Sequence, residues 1–402
     1  VKIDFRRIFL VAGITAQLII YPLLWLRMIT NPVERTGSDF IAFYTAGRIT
    51  RLDGPGQVYD IDRQQQVQAE QVGFELIPGQ VLLYNHIPWL IPLLWLIAGP
   101  NYVYSFIAWQ LLLLGILVLS ILLLVRMLPG GWKGENSLPL LLGGVTFFPL
   151  FASLMNGQDT AFACLGAVLL ASGVLNRRDY LGGLGLALIT VRPHIALLLA
   201  IPFLFHHRKV LIWAIIFGAG LAGLSLLLIG WDGARNYLDL VLISAAGEWY
   251  GLKEAAMVNL IGLLHRFAPG LGVETIRLTG WIVYASALLG LSIVWKFSRE
   301  IRETQLTLAV ILGMFAVPHL HYHDLTLLLI PLWLLLNLLV RGGYLPLRDA
   351  ILIPVGASLL LLLGSLIPGA QYSLPALVMI VLILATWFPE KVFRKSTVKE
   401  KY

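Results

Sequence analysis

The sequence predicts an all-α, polytopic membrane protein, and three observations lead there. Apolar side chains make up 58% of the 402 residues and charged ones only 13%, against about 25% charged in an ordinary soluble domain. The mean hydropathy is +0.82, more apolar surface than a soluble chain of this length can bury. Apolar runs of membrane-spanning length, roughly 20 residues, recur from end to end, and a helix lets such a run satisfy its own backbone within lipid.

About twelve such segments follow one another, near 8–29, 80–98, 101–125, 138–155, 159–175, 181–205, 210–230, 272–296, 304–320, 322–340, 349–366 and 372–388. They read as one domain over 1–402. The first run, Ile8 to Ile29, is long enough to cross and is followed by no small-residue cleavage site, so it reads as a retained helix. Two segments carry midpoint breakers: Pro88 and Pro92 in 80–98, and Pro193 in 181–205. Broken helices are tolerated where they line a polar cavity, so these two are expected to dip in and return.

Two hydrophilic regions interrupt the pattern, 30–79 and 231–271. In the first, a helix from Asp39 to Ile49 is expected to be capped by Ser38 or Asp39. Gly54-Pro55-Gly56 forms a turn, and Asp60 caps a second helix running to Gln71. Both read as short amphipathic helices lying on the outer membrane face.

The net charge is +7, and the cations gather at segment ends. That is the pattern of topology and headgroup contacts rather than of a nucleic-acid surface. Lys2, Arg6 and Arg7 precede the first span. Lys296, Arg299 and Arg302 form a basic turn, and Lys391, Arg394, Lys395, Lys399 and Lys401 mark a basic tail over 390–402. The positive-inside rule places these, and both termini, in the cytoplasm. Both hydrophilic regions then face outward. With 80–98 and 181–205 re-entrant, Arg126, Lys133, Arg177 and Arg178 join the cytoplasmic side and the turn at Asn156–Asp159 moves outward. The single cysteine, Cys164, excludes an intrachain disulfide and a thiolate metal site.

Five polar patches carry the chemistry. Asp39 follows the first span, and a carboxylate beside the membrane costs desolvation energy unless it has work or a partner. It reads either as a general base with Phe43 and Tyr44 as aromatic platforms for a sugar, or as a helix N-cap. Tyr84-Asn85-His86-Ile87-Pro88 interrupts an apolar run, as a cavity lining or an interfacial aromatic belt. Asn156-Gly157-Gln158-Asp159 opens a helix and allows close approach at its glycine. Arg192, before Pro193 and His194, is a permanent cation inside an apolar segment. It reads as a phosphate ligand or as the partner of a buried carboxylate such as Asp159. His319, His321, His323 and Asp324 break one further apolar stretch. In an extended turn their imidazoles all face one cavity and contact phosphate or sugar hydroxyls, a reading favoured over a metal site.

These patches, in this order, resemble glycosyltransferase family 87 within the GT-C superfamily of membrane glycosyltransferases. The resemblance rests on Asp39-Phe40-Ile41-Ala42-Phe43-Tyr44-Thr45-Ala46-Gly47, Leu83-Tyr84-Asn85-His86-Ile87-Pro88, Leu154-Met155-Asn156-Gly157-Gln158, Arg192-Pro193-His194 and Pro318 to Asp324. It implies a GT-C-type bundle, a polyprenyl-phosphate sugar donor (typically mannose), and transfer to a lipid or glycan acceptor on the outer face of the bacterial inner membrane. It implies Asp39 as catalytic base. Arg192 stands where many relatives have lysine. Arg192, His194, His319, His321 and His323 are then expected to receive the donor phosphate, with Tyr84, His86 and Gln158 completing the donor pocket. The mechanism expected is a single inverting displacement with no required cofactor, a divalent metal being unfavoured. Two readings compete: a transporter or flippase for a lipid-linked or anionic substrate, and a surface-glycan ligase or polymerase.

Overall fold

The computed structural model describes residues 5–128, 130, 137–246 and 254–399. Lys2, Lys133 and Lys401 lie outside the described residues, as does the stretch 247–253 of the second hydrophilic region. All regular structure described is helical. Each apolar segment read from the sequence contains a helix or a broken helix, the first half of 80–98 being irregular up to Pro88. Five of them are long and apolar enough to cross a membrane alone: α1 (Phe5–Thr30), α6 (Tyr102–Met127), α12 (Arg208–Ser244 of a longer helix), α14 (Val273–Phe297) and α16 (Tyr322–Arg341). A sixth forms if α7 (Ser137–Val145) and α8 (Phe148–Asn156), bent by 45° between them, count as one span.

The remaining apolar helices are shorter: α5 (Pro88–Ile97), α9 (Thr160–Leu175), α10 (Asp179–Val191), α11 (Pro193–Leu204), α15 (Glu303–Phe315), α18 (Leu352–Ser365) and the apolar part of α19 (Ala370–Thr386); α13 (Leu260–Phe267) and α17 (Leu347–Ala350) are shorter still. The structure thus offers five or six candidate spans, and the count of about twelve apolar segments is not confirmed as a count of crossings. A segment can be apolar because it is buried among other helices, which the 20-residue criterion does not distinguish from lipid exposure.

The short helices form hairpins that start and finish at one end of the bundle. Arg177 pairs with Glu300 at 3.5 Å, the His206 ring meets the Arg299 carbonyl at 3.3 Å, and Arg341 pairs with Glu303 at 3.2 Å. Residues 177, 206, 299–303 and 341 thus share a basic end. Consequently α10 rises from that end to Arg192 and α11 descends to it again, so the segment predicted to be re-entrant turns back at its proline. The same holds for α15 and α16, whose connecting turn carries His319 and His321, with His323 in the first turn of α16. The α8–α9 turn carries Gln158 and Asp159. Sixteen-residue α9 and thirteen-residue α15 are about 24 and 20 Å long. Each is shorter than a hydrocarbon layer about 30 Å thick.

The α9–α10 hairpin closes tightly because its contact face is glycine. A Cβ on Gly173 would stand 2.2 Å from the Gly182 nitrogen, and one on Gly185 would stand 2.4 Å from the Gly166 carbonyl oxygen. Small residues on facing positions let helix backbones approach without a hydrophobic driving force, as lipid demands.

At the opposite end, α2 (Pro32–Thr36), α3 (Phe40–Leu52), α4 (Ile61–Val72) and α5 cover the tips. The hydroxyl of Tyr102 donates to the Arg35 carbonyl at 3.2 Å. The start of α6 therefore lies level with the exit of α1, and the ten-residue α5 between them returns to the side it entered from. The α4 boundary is as expected: the Asp60 carboxylate accepts from the Arg63 N–H at 2.9 Å, and Gly73 ends the helix at φ +82°. Helix α3 differs from expectation. Phe40 through Gly47 and Ile49 are all buried, so it is an inserted helix packed on α4 and α5 rather than an amphipathic surface one. Residues 231–246, read as part of a loop, continue α12 beyond a kink at Gly230, where φ is +69°.

Candidate active site

Asp39 occupies the N-cap position of α3, yet its side chain makes no capping hydrogen bond. Ser38 does not cap either; its hydroxyl donates to the Arg35 carbonyl at 2.7 Å. The carboxylate points into the bundle. Gln158 Nε2 donates to Asp39 Oδ2 at 2.6 Å, and His323 Nδ1 stands 3.9 Å from that same oxygen. No described residue bonds Oδ1, and the side chain remains 36% exposed. One carboxylate oxygen is thus held, while the other takes no hydrogen bond from a described residue.

Gln158 reaches Asp39 because of Gly157. This glycine adopts φ +70°, and a Cβ there would stand 2.7 Å from the Cβ of Phe40. The left-handed turn and the missing side chain together bring the α8–α9 tip against the first residue of α3. Trp109 Nε1 donates to the Gly157 carbonyl at 2.7 Å and fixes the turn from α6.

Beneath Gln158 lies a buried ionic cluster. Arg192 Nε donates to Asp324 Oδ1 at 2.7 Å, and Nη1 donates to Asp159 Oδ1 at 2.8 Å and to the Val191 carbonyl at 3.2 Å. Nη2 donates to Gln158 Oε1 and Thr160 Oγ1, both at 3.1 Å. A guanidinium has five N–H donors, and each of these has a protein acceptor. Asp159 and Asp324 are 0% and 1% exposed. Burying such charges without counter-ions would cost several kcal/mol each, so the three side chains form one unit. Asp159 does not cap α9; its second oxygen meets His86 Nδ1 at 2.8 Å. Of the two readings of Arg192, the geometry displays the buried carboxylate pairing, with a second carboxylate added. Asp159 reads from the sequence as a partner for Arg192 and Asp324 as part of the histidine patch, whereas Thr160 is not among the expected site residues. The signal for the carboxylates was the requirement that a buried cation be neutralised.

The histidines form a row. His321 has an extended backbone, but His323 already lies in the first helical turn of α16, so the extended turn expected to carry all three histidines ends at His321. The ring centroids of His319 and His321 are 4.5 Å apart, those of His321 and His323 5.9 Å, and those of His194 and His319 6.4 Å. His323 Nε2 lies 3.5 Å from Asp324 Oδ2, so its ring sits between that carboxylate and Asp39. His194 Nε2 is buried without a protein partner, while its carbonyl accepts from the Tyr284 hydroxyl at 2.7 Å. Among the described residues, no group of three or more His, Cys, Asp or Glu side chains is arranged to hold a metal ion.

The aromatic candidates are placed differently from expectation. Phe43 is fully buried. Its ring lies 4.4 Å from His86, 5.4 Å from Trp109 and 5.7 Å from Tyr84, centroid to centroid. Tyr44 packs on Tyr102 at 4.7 Å. Burial raises its phenol above the ordinary value, with Arg48 opposing, so it stays protonated. Both rings are core packing and present no open face to a sugar, because α5 and α6 close over α3. Tyr84 is also fully buried; its N–H donates to Gln64 Oε1 at 2.7 Å. It forms a wall behind His86 rather than a pocket surface.

The family model for glycosyltransferase family 87 matches residues 87–319. That stretch includes Gln158, Arg192, His194 and His319; Asp39, His86, His321 and His323 lie outside it. No curated protein and no solved structure matches the chain.

Proposed function

The chain belongs to glycosyltransferase family 87, and from that premise we propose that Asp39 is the general base of an inverting sugar transfer from a polyprenyl-phosphate donor. Membership selects transferase chemistry over transport. The observation that carries the reading is the asymmetry of Asp39, whose Oδ2 is held by Gln158 while Oδ1 is unbonded on a partly exposed side chain.

The acceptor hydroxyl lies against Asp39 Oδ1. Its oxygen forms a bond to the anomeric carbon as its proton passes to the carboxylate. The bond from that carbon to the phosphate oxygen breaks on the opposite face, and its electron pair leaves with the polyprenyl phosphate. Positive charge develops on the sugar ring, and the carboxylate beside it favours that charge. No second carboxylate nucleophile enters, so the anomeric configuration inverts. The imidazoles of His319, His321 and His323, with the unpartnered Nε2 of His194, offer N–H donors to the departing phosphate. The donor is a lipid-borne hexose of the mannose type, and the acceptor is a lipid or glycan hydroxyl.

The positive-inside rule assigns the basic end to the cytoplasm and the site to the outer half of the bacterial inner membrane. A lipid donor suits a site at this depth, because its chain remains in the bilayer while its phosphate meets the hairpin tips.

The test is transfer by purified protein given radiolabelled polyprenyl-phosphate mannose or glucose and a membrane lipid extract, with and without chelator. Asp39→Asn is expected to lower turnover by about 10²–10⁴-fold while the protein folds normally, and chelator is expected to leave the rate unchanged. Near-normal turnover in Asp39→Asn removes this residue from the base role.

A further inference from the structure

We infer that Arg192 and Gln158 are positioning residues for the base, and that the buried cluster of Arg192, Asp159 and Asp324 orients Asp39 instead of gripping the donor phosphate. This inference rests on the reading of Asp39 as the base.

Two contacts of Asp39 lead back to one guanidinium. Through the first, Gln158 donates to Asp39 at 2.6 Å while its Oε1 accepts from Arg192 at 3.1 Å. That acceptance fixes which end of the amide faces the carboxylate. A rotated amide would set its oxygen against Asp39 and its N–H₂ against the guanidinium, two repulsive contacts. Through the second, His323 stands 3.9 Å from Asp39 and 3.5 Å from Asp324, and Asp324 accepts from Arg192 at 2.7 Å. Both contacts converge on Oδ2, so both leave Oδ1 for the acceptor.

The charge balance of the cluster argues the same way. Two carboxylates, Asp159 and Asp324, surround one guanidinium, so its positive charge is already matched within the cluster. A phosphate brought to Arg192 would approach two buried carboxylates and would find no N–H without first breaking one of the bonds already made. Holding a reacting group in place is itself worth rate: a misplacement of about 1 Å can cost 10²-fold.

The discriminating variants are Gln158→Glu and Asp324→Asn. They are assayed for turnover at saturating donor, for the donor concentration giving half-maximal rate, and for thermal unfolding. Gln158→Glu keeps an acceptor for Arg192 but sets a second carboxyl group against Asp39 Oδ2 in place of the amide N–H. It is expected to lower turnover by about ten- to a hundredfold, on the scale of a misplaced reacting group, with the half-maximal donor concentration changed by less than about twofold. Asp324→Asn separates the two roles by sign. Were Arg192 a donor clamp, freeing it from one carboxylate would tighten donor binding. As a positioning residue it should lose turnover with donor binding unchanged.

Unchanged turnover in a folded Gln158→Glu protein overturns the inference, as does a lowered half-maximal donor concentration in Asp324→Asn. If either variant fails to fold, the other still decides. Failure of the underlying reading looks different: it shows as absent transfer by the unaltered protein or normal transfer by Asp39→Asn, whatever Gln158 and Asp324 do.

Discussion

Arg192 illustrates how one side chain organises a site it need not touch. Its neighbours come from three chain segments far apart in sequence: Gln158, Asp159 and Thr160 from the α8–α9 turn, Val191 beside it, and Asp324 from the histidine turn. Removing the cation strands two carboxylates that are 0% and 1% exposed. Breaking a buried ion pair from one side costs about 3–5 kcal/mol, so Arg192→Met is expected to destabilise the protein on that scale. Thermal unfolding in detergent checks it. A shift of a degree or two would mean that water already reaches the cluster and screens it.

Among the elements, the α8–α9 turn matters most to the site, because it sets the distance between two others. Gly157 combines φ +70° with a contact that places a new Cβ 3.3 Å from the Phe40 Cα, next to Asp39. Gly157→Ala therefore strains the turn, at about 1–3 kcal/mol for a non-glycine residue in this region, and pushes α3 away from Gln158. Turnover should fall in a protein that still folds, measured with the same transfer assay. Full activity would show that α3 shifts as a unit and carries Asp39 with it. The sequence reveals this turn only in part. Asn156-Gly157-Gln158-Asp159 reads as polar and close-approaching, and Arg192 demands a buried carboxylate such as Asp159, since both follow from local residue chemistry. That Asp39 leaves its own helix uncapped to meet Gln158, 119 residues away, is a tertiary fact with no local trace. Phe43 and Tyr44 read as open platforms for the same reason. Their helix reads as a surface one until α5 and α6 are known to cover it. Residues 231–246 read as a loop because Asp232, Gly233, Arg235 and Asn236 break the apolar run, yet past the kink the helix continues, packing Tyr237 on Tyr59 with ring centroids 5.0 Å apart.

For the molecule as a whole, the hairpins decide which ends of the helices share a side. Counting every apolar segment as a crossing would separate Arg177 from the basic turn at Arg299. The structure instead sets Arg177 against Glu300 at 3.5 Å, since α9 and α10 form a hairpin that opens toward that turn. Arg177 and Arg299 should therefore be reached from one side of the membrane. Asn236 belongs to the other, because α12 crosses between them and its neighbour Gly233 rests on Gly56 in the covering layer, where a Cβ would stand 3.1 Å from the Gly56 carbonyl oxygen. All three positions are exposed, and Cys164 is fully buried, so the native thiol adds little background. In sealed, oriented vesicles a membrane-impermeant maleimide is expected to label Arg177→Cys and Arg299→Cys from the same face, and Asn236→Cys only from the opposite one. Labelling of Arg177→Cys and Asn236→Cys from a common face would mean that α10 and α11 together make a single crossing. The Arg192 tip would then be no tip, and the shared level of Asp39, Gln158 and the histidine turn would be lost.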